Sequence, residues 1–266
     1  MRRLLIPALT IAACTSLSAH DFWLASSAPA SSGAGARATV TANVGEVFPK
    51  ATNFTQPDRV DQWRVLGASG EIPVVRDFRR EGESLAVDVS LPAPGAYLGV
   101  MTIGARTIEM KGDEFTDYLK EEGLTQIIAA RKAAGESDKT VTERYARYAK
   151  IALRNGNGSG AHLTRAAGLK AEFIPSSDPT ALRAGQALAV QLIADRKPVV
   201  DAEVTAVNAS GGAPIKVRTD KDGRVTVKLD RPGSWLVKTV HMTRVTDTPG
   251  VSWESFWVTL AFQTVA

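Results

Sequence analysis

Short segments in which apolar and polar residues alternate recur along most of the chain, and they constrain its fold more than any other feature. Alternation with a period of two places one apolar face against a core, which is typical of β-strands. Gly, Pro, Asn and Asp separate these segments and favour turns. The segments are residues 38–44, 61–66, 84–89, 188–193, 202–207, 225–229, 235–240 and 253–262. They predict a mainly β protein built from two β-sandwich domains.

The spacing of apolar residues changes between about residues 112 and 155. Apolar residues at positions 115, 118 and 119, and again at 124, 127 and 128, predict two short amphipathic helices that Gly123 separates. We also predict a third helix, capped by Thr140 or Thr142, that continues through Leu153 and ends at Asn155. The glycine-rich run 155–160 lacks the sequence context of a phosphate loop, and we interpret it as a linker.

These patterns divide the chain into four parts. Residues 1–19 are predicted to be a signal peptide, and residues 20–111 an amino-terminal β domain. Residues 112–160 form the helical segment and linker, and residues 161–266 a carboxy-terminal β-sandwich domain.

The first nineteen residues have the order of charges and apolar residues that the export machinery reads. Arg2 and Arg3 precede a mostly apolar run that ends at Ala13, and small residues lead to Ala19. This run, Leu4 to Ala13, has ten residues, which are too few to cross a bilayer because a spanning helix takes ~20. We therefore predict a cleaved chain that begins at His20 and lies in the periplasm or is secreted. Residues 11–14 also fit a lipobox, so a lipoprotein anchored through Cys14 is the alternative.

Composition excludes several functions for a chain cut after Ala19. Removing Arg2 and Arg3 lowers the formal net charge from +4 to +2, which leaves no charge pattern for binding nucleic acid. Cys14 is the only cysteine, so the cut chain has no disulfide, thiolate metal site or cysteine nucleophile. No later segment is long and apolar enough to be a transmembrane helix.

Several motifs resemble a family of periplasmic domains of unknown function, the DUF4198 type, described as NikM-like or associated with nickel uptake. The resemblance covers essentially the whole mature chain and is carried by residues 20–24, 115–124, 143–150, 235–242 and 253–257. It implies handling of nickel or cobalt in the envelope, with a metal-uptake permease or another envelope protein as partner, and no assigned catalytic residues. Residues 197–223 also resemble transthyretin-like sandwiches, which together with the strand pattern implies immunoglobulin-like or transthyretin-like domains.

The histidines suggest where a metal ion would bind. As the first residue, His20 would offer its α-amine and its ring Nδ1, which together chelate a divalent ion such as nickel, cobalt or copper. We predict His241 as the third nitrogen ligand, because it lies on a strand within a motif of the family. Weaker candidate ligands are Asp21, Glu109 and His162.

No catalytic motif of a hydrolase or metalloprotease is present, so we predict a binding protein rather than an enzyme. Copper-dependent oxidative chemistry at His20 is an open alternative. A second alternative is a structural or adaptor β-sandwich that binds another envelope protein without metal.

Overall fold

The computed structural model describes residues 20–27 and 33–265, and β-strands dominate it, as predicted. The predicted signal peptide and Cys14 lie outside the described residues. The strands are β1 Asp21–Ser26, β2 Ala36–Gly45, β3 Val60–Gly67, β4 Gly70–Ile72, β5 Arg79–Glu81, β6 Ser84–Leu91, β7 Gly95–Met110 and β8 Val141–Asn155. They continue with β9 Ala171–Pro175, β10 Ala187–Ala194, β11 Lys197–Pro198, β12 Glu203–Asn208, β13 Ile215–Arg218, β14 Arg224–Lys228, β15 Gly233–Arg244 and β16 Trp253–Thr264.

An eight-stranded central sheet runs through the molecule in the order β13-β12-β15-β16-β8-β7-β3-β4. Its neighbours pair antiparallel, except that β16 pairs with β8 in parallel. A front sheet, β1-β2-β6-β5, and a back sheet, formed by β9, β10, β11 and β14, pack on its two faces. The central sheet is thus shared by two sandwiches.

Alternation along the central strands supplies both cores. On β8, Ile151 and Leu153 point to the front core, whereas Ala152 points to the back core. On β16, Phe256 and Leu260 belong to the back core. Each large apolar side chain buried in this way contributes roughly 1.5–3 kcal/mol relative to the exposed state.

Two helices cover the part of the front face that the front sheet leaves open. They are α1 Gly112–Glu121 and α2 Thr125–Ala133, which confirms both predicted amphipathic helices. Tyr118 of α1 stacks on Trp257 of β16, with ring centroids 5.9 Å apart. Gly123 has a φ of +66°, a left-handed conformation that suits glycine and ends α1. Within residues 20–27 and 33–265, no helix has the length and apolarity that crossing a bilayer requires.

The third predicted helix is wrong, because residues 141–155 form the central strand β8. A central strand is buried on both faces, so its apolar residues do not alternate cleanly. Tyr145, Tyr148 and Ala149 therefore mimic helical spacing. Strand β8, which comes from the predicted helical segment, lies between β7 and β16. The central sheet therefore contains strands from both sides of the predicted boundaries at residues 111 and 160. The predicted domain boundaries themselves stay a prediction.

Candidate functional site at the junction of the front sheet and the helices

Charged side chains gather on the front face of the central sheet where the front sheet meets the helices. We call this region the seam and define it by His20, Asp21, Glu122, Arg147 and Lys238. The start of β1 brings His20 and Asp21 to it, and the carboxy-terminal end of α1 brings Glu122. Arg147 of β8 and Lys238 of β15 rise from the central sheet beneath.

His20 stands at the head of β1 with a quarter of its side chain exposed. Its ring Nε2 lies 3.6 Å from Oε1 of Glu46, so that carboxylate faces one ring nitrogen and leaves Nδ1 for another partner. The backbone carbonyl of His20 accepts a hydrogen bond of 3.4 Å from Nη2 of Arg147. The residue is therefore held between an acidic and a basic side chain.

Asp21 is buried beside His20, and its side chain is already engaged. Its Oδ2 accepts a hydrogen bond of 2.5 Å from Nζ of Lys238. Burial raises the pKa of Asp21, and the charge of Lys238 limits that rise. This ion pair ties the start of β1 to the centre of β15, which fixes the position of His20.

A cleft of about 320 Å³ opens next to this ion pair. Acidic residues outnumber basic residues along its wall. The acids are Asp21, Glu46, Glu121, Glu122 and Glu203, and the bases are Lys216 and Lys238. Burial, reinforced by the charges of Asp21 and Glu121, raises the pKa of Glu122 to about 7. The cleft is therefore an acidic environment, and its lining includes Asp21 and Glu46, the two acids next to His20.

His241 does not reach the seam. It follows Trp235 and Val237 on the back face of β15, whereas His20 contacts the front face. Its ring lies 6.2 Å from that of Phe256, and burial lowers the pKa of His241 despite the opposing charge of Asp195. Since the central sheet separates the two imidazoles, the structure does not bring His20 and His241 together around one ion.

The three weaker candidates are also dispersed. Asp21 is at the seam but bonded to Lys238, and Glu109 is exposed near the end of β7. His162 lies in a short 3₁₀ turn, residues 161–164, whose neighbour Leu163 is in the back core. Burial lowers the pKa of His162. Within residues 20–27 and 33–265, no group of three or more His, Cys, Asp or Glu side chains is arranged to hold a metal ion.

The sequence patterns do not point to four residues at or beside the seam, namely Glu46, Glu122, Arg147 and Lys238. Lys238 carries a usable signal, because it interrupts the apolar front-face row of Leu236 and Val240. Arg147 carries the same signal once residues 141–155 are interpreted as a strand. A charged side chain in an apolar row needs a specific partner, or it marks a functional position.

Residues 17–243 match the sequence profile of a family described as "Domain of unknown function (DUF4198)". The chain belongs to this family. The match confirms the resemblance that the sequence motifs carry, at the level of the DUF4198 family. No curated protein matches this DUF4198 protein in sequence.

Solved structures that are similar to this DUF4198 protein include the following three. A segment of two fibronectin type-III domains from chicken tenascin is 17% identical, with 89% of this chain and 97% of that chain covered and a TM-score of 0.20. Native alpha-2-macroglobulin from Escherichia coli, spanning domains MG0-NIE-MG1, is 12% identical, with coverages of 86% and 95% and a TM-score of 0.19. Three amino-terminal domains of the bacteriophage RB49 outer capsid protein Hoc are 12% identical, with coverages of 91% and 59% and a TM-score of 0.20. At these values the similarities carry no argument about function.

Proposed function

We propose that this DUF4198 protein is an exported binding module whose mature amino terminus captures a divalent transition-metal ion. Nickel, cobalt and copper are the candidate ions, and uptake or homeostasis of the metal in the periplasm is the proposed role. His20 is the proposed ligand residue, through its α-amine and its ring Nδ1. A metal-uptake permease or another envelope protein would receive the ion. The NikM-like association of the family motifs supports the choice of metals and partner.

The observation that carries the proposal is the pairing of His20 with Glu46. A metal-binding histidine commonly offers its second ring nitrogen to a carboxylate, which orients the ring and strengthens the metal bond. Glu46 lies 3.6 Å from Nε2 of His20, so it occupies that second position. Nδ1 and the amine released by cleavage after Ala19 then form a two-nitrogen chelate.

The charges around His20 support the same role. The cleft beside it carries more carboxylates than amines, and a negative cleft raises the local concentration of cations. The ion pair of Asp21 with Lys238 anchors β1 next to the chelate, so the nitrogens are preorganised. His241 lies on the other face of the sheet, and this proposal assigns it no part in the His20 site.

Titration of Ni²⁺ and Cu²⁺ into the processed chain that starts at His20 tests the proposal. We expect His20→Ala to abolish tight binding, because it removes the ring nitrogen. One added residue before His20 should weaken Ni²⁺ binding at least ~10-fold, because it moves the amine out of the chelate. Protons compete for both nitrogens, so affinity should fall as the pH is lowered.

Two further variants make the test specific. Glu46→Gln should weaken binding less than His20→Ala, because Glu46 orients the ring and does not contact the ion. His241→Ala is the matched control, since it removes another imidazole from the same protein, and it should bind like the unaltered chain. Equal affinity of all these proteins would refute the proposal and leave a sandwich that binds a protein partner without metal.

A further inference from the structure

A second feature of the seam lies on the other side of His20 from Glu46. Arg147 on β8 is in register with Ile103 of β7, and Ile103 is in register with Val60 of β3. Arg59 immediately precedes Val60, so the two arginines are about two strands apart at the same level of the sheet. Each side chain is only partly exposed. The register places the two residues at one level of the sheet, and the charge of Arg59 lowers the pKa of Arg147, so the two guanidinium groups are close enough to interact.

Both guanidinium groups have buried nitrogen atoms without a hydrogen-bond partner. These are Nε and Nη2 of Arg59 and Nε of Arg147. Within residues 20–27 and 33–265, neither arginine forms an ion pair with a carboxylate. Arg147 donates only to the His20 carbonyl at 3.4 Å and lies over the ring of Tyr145 at 5.4 Å. Buried donors without acceptors are costly, and two like charges add repulsion.

Among residues 20–27 and 33–265, no Asp or Glu side chain lies within ion-pair distance of Arg59 or Arg147. Residues 1–19, 28–32 and 266, which the structure does not describe, contain neither Asp nor Glu. The nearby Asp21 is bonded to Lys238. Burial lowers the pKa of Arg147, Tyr145 opposes this effect, the charge of Arg59 lowers the pKa further, and the charge of Asp21 raises it. A bound oxyanion would supply acceptors for these nitrogens.

We propose that Arg59 and Arg147 bind an oxyanion, a carboxylate or a phosphate, beside His20. The planar guanidinium group donates two parallel hydrogen bonds to the oxygens of such an anion. Binding neutralises the repulsion between the arginines and satisfies their buried nitrogens. The site does not depend on metal binding by His20, and a bound anion would lie next to the amino terminus.

Thermal unfolding of the processed chain with citrate or phosphate, against chloride at equal ionic strength, tests the site. A ligand that binds the folded state raises Tm. Citrate and phosphate also stabilise proteins nonspecifically, so the difference between variants decides. We expect a rise of a few degrees for the unaltered chain and a clearly smaller rise for Arg59→Gln and Arg147→Gln. A rise with citrate alone indicates a carboxylate, and one with phosphate alone a phosphate.

Arg224→Gln is the matched control, because it removes an exposed arginine from the back sheet and should respond like the unaltered chain. An equal rise in all four proteins, or no rise in any, overturns the proposal. If Arg147→Gln does not fold, Arg147→Lys decides, because it keeps the charge and loses the planar group. An unaltered response of Arg147→Lys also overturns the proposal. These outcomes do not depend on whether His20 binds Ni²⁺ or Cu²⁺, which His20→Ala tests. The anion proposal and the metal proposal can therefore be refuted independently.

Discussion

Two cations three residues apart on β8 illustrate how the two faces of the central sheet differ. Lys150 points to the back face and is 1% exposed, and its Nζ lies 2.8 Å from Glu172 and 2.6 Å from the carbonyl of Phe173. Glu172 also accepts hydrogen bonds from the backbone N–H groups of residues 167, 168 and 169. Arg147 points to the front face with no carboxylate partner among the described residues.

The difference separates structure from function. A buried charge with a full set of partners holds loops and strands together, as Glu172 does for the segment before β9. A half-buried charge without such partners lowers the free energy of unfolding, and a ligand that pairs with the charge removes this destabilisation. The seam contains two half-buried charges of this second kind, Arg147 and Glu122, close to the proposed amino terminus at His20.

The largest expected effect concerns the back-face pair. Glu172→Gln removes the charge that Lys150 needs in a buried position, so the free energy of unfolding should fall by about 3–5 kcal/mol. Urea unfolding measures it. Glu83→Gln is the control, because it breaks an exposed ion pair with Arg80 and should cost less than about 1 kcal/mol. A loss for Glu172→Gln no larger than that of the control would break the comparison.

The next effect concerns Glu122 and depends on pH. Its pKa is raised from 4.5 to about 7, so between these values the folded state binds more protons than the unfolded state. Stability should therefore fall as the pH rises from about 4.5 to 7, by at most about 3 kcal/mol. Glu122→Gln should remove this loss and stabilise the protein at pH 8.

Denaturant unfolding at pH 5, 6, 7 and 8 measures the pH dependence. Asp117→Asn is the matched control, since it removes an exposed acid from the same helix, where Asp117 pairs with Lys120. It should keep the slope of the unaltered chain. If Glu122→Gln keeps the same dependence of stability on pH as the unaltered chain, burial does not raise the pKa of Glu122.

The smallest expected effect is on the front-face cation itself. Arg147→Met keeps most of the packing against Tyr145 and removes a charge without a carboxylate partner. In the absence of added anions, the free energy of unfolding should change by less than about 1 kcal/mol in either direction. Urea unfolding in chloride buffer checks this. A loss of 3 kcal/mol or more would make Arg147 a structural residue like Lys150.

Much of the fold could be predicted from the sequence, because most strands bury one face and alternate accordingly. The two helices were also predicted, since their apolar residues face one core. The strand β8 was not, because burial on both faces removes the alternation that distinguishes a strand from a helix. The sharing of one sheet by both halves was also beyond the pattern, since pairing partners leave little trace in local sequence.

The candidate site was predicted only in part. His20 is predicted because cleavage would free its α-amine, and Asp21 because its carboxylate could supply an oxygen ligand; both lie at the seam. Their surroundings come from residues distant in the chain, such as Lys238, and no local spacing connects them. His241 was chosen from strand position and motif alone. The side of the sheet to which it points depends on the packing of a second sheet.

The parallel pairing of β8 with β16 also shapes how the molecule is made. The two strands are roughly a hundred residues apart, and such distant contacts form slowly. Synthesis proceeds from the amino terminus, so β8 and β7 exist long before β16 does. Until β16 arrives, one edge of β8 exposes unpaired N–H and C=O groups that other chains can bind. The exposed edge of β8 is therefore an aggregation-prone feature of the nascent chain until β16 pairs with it.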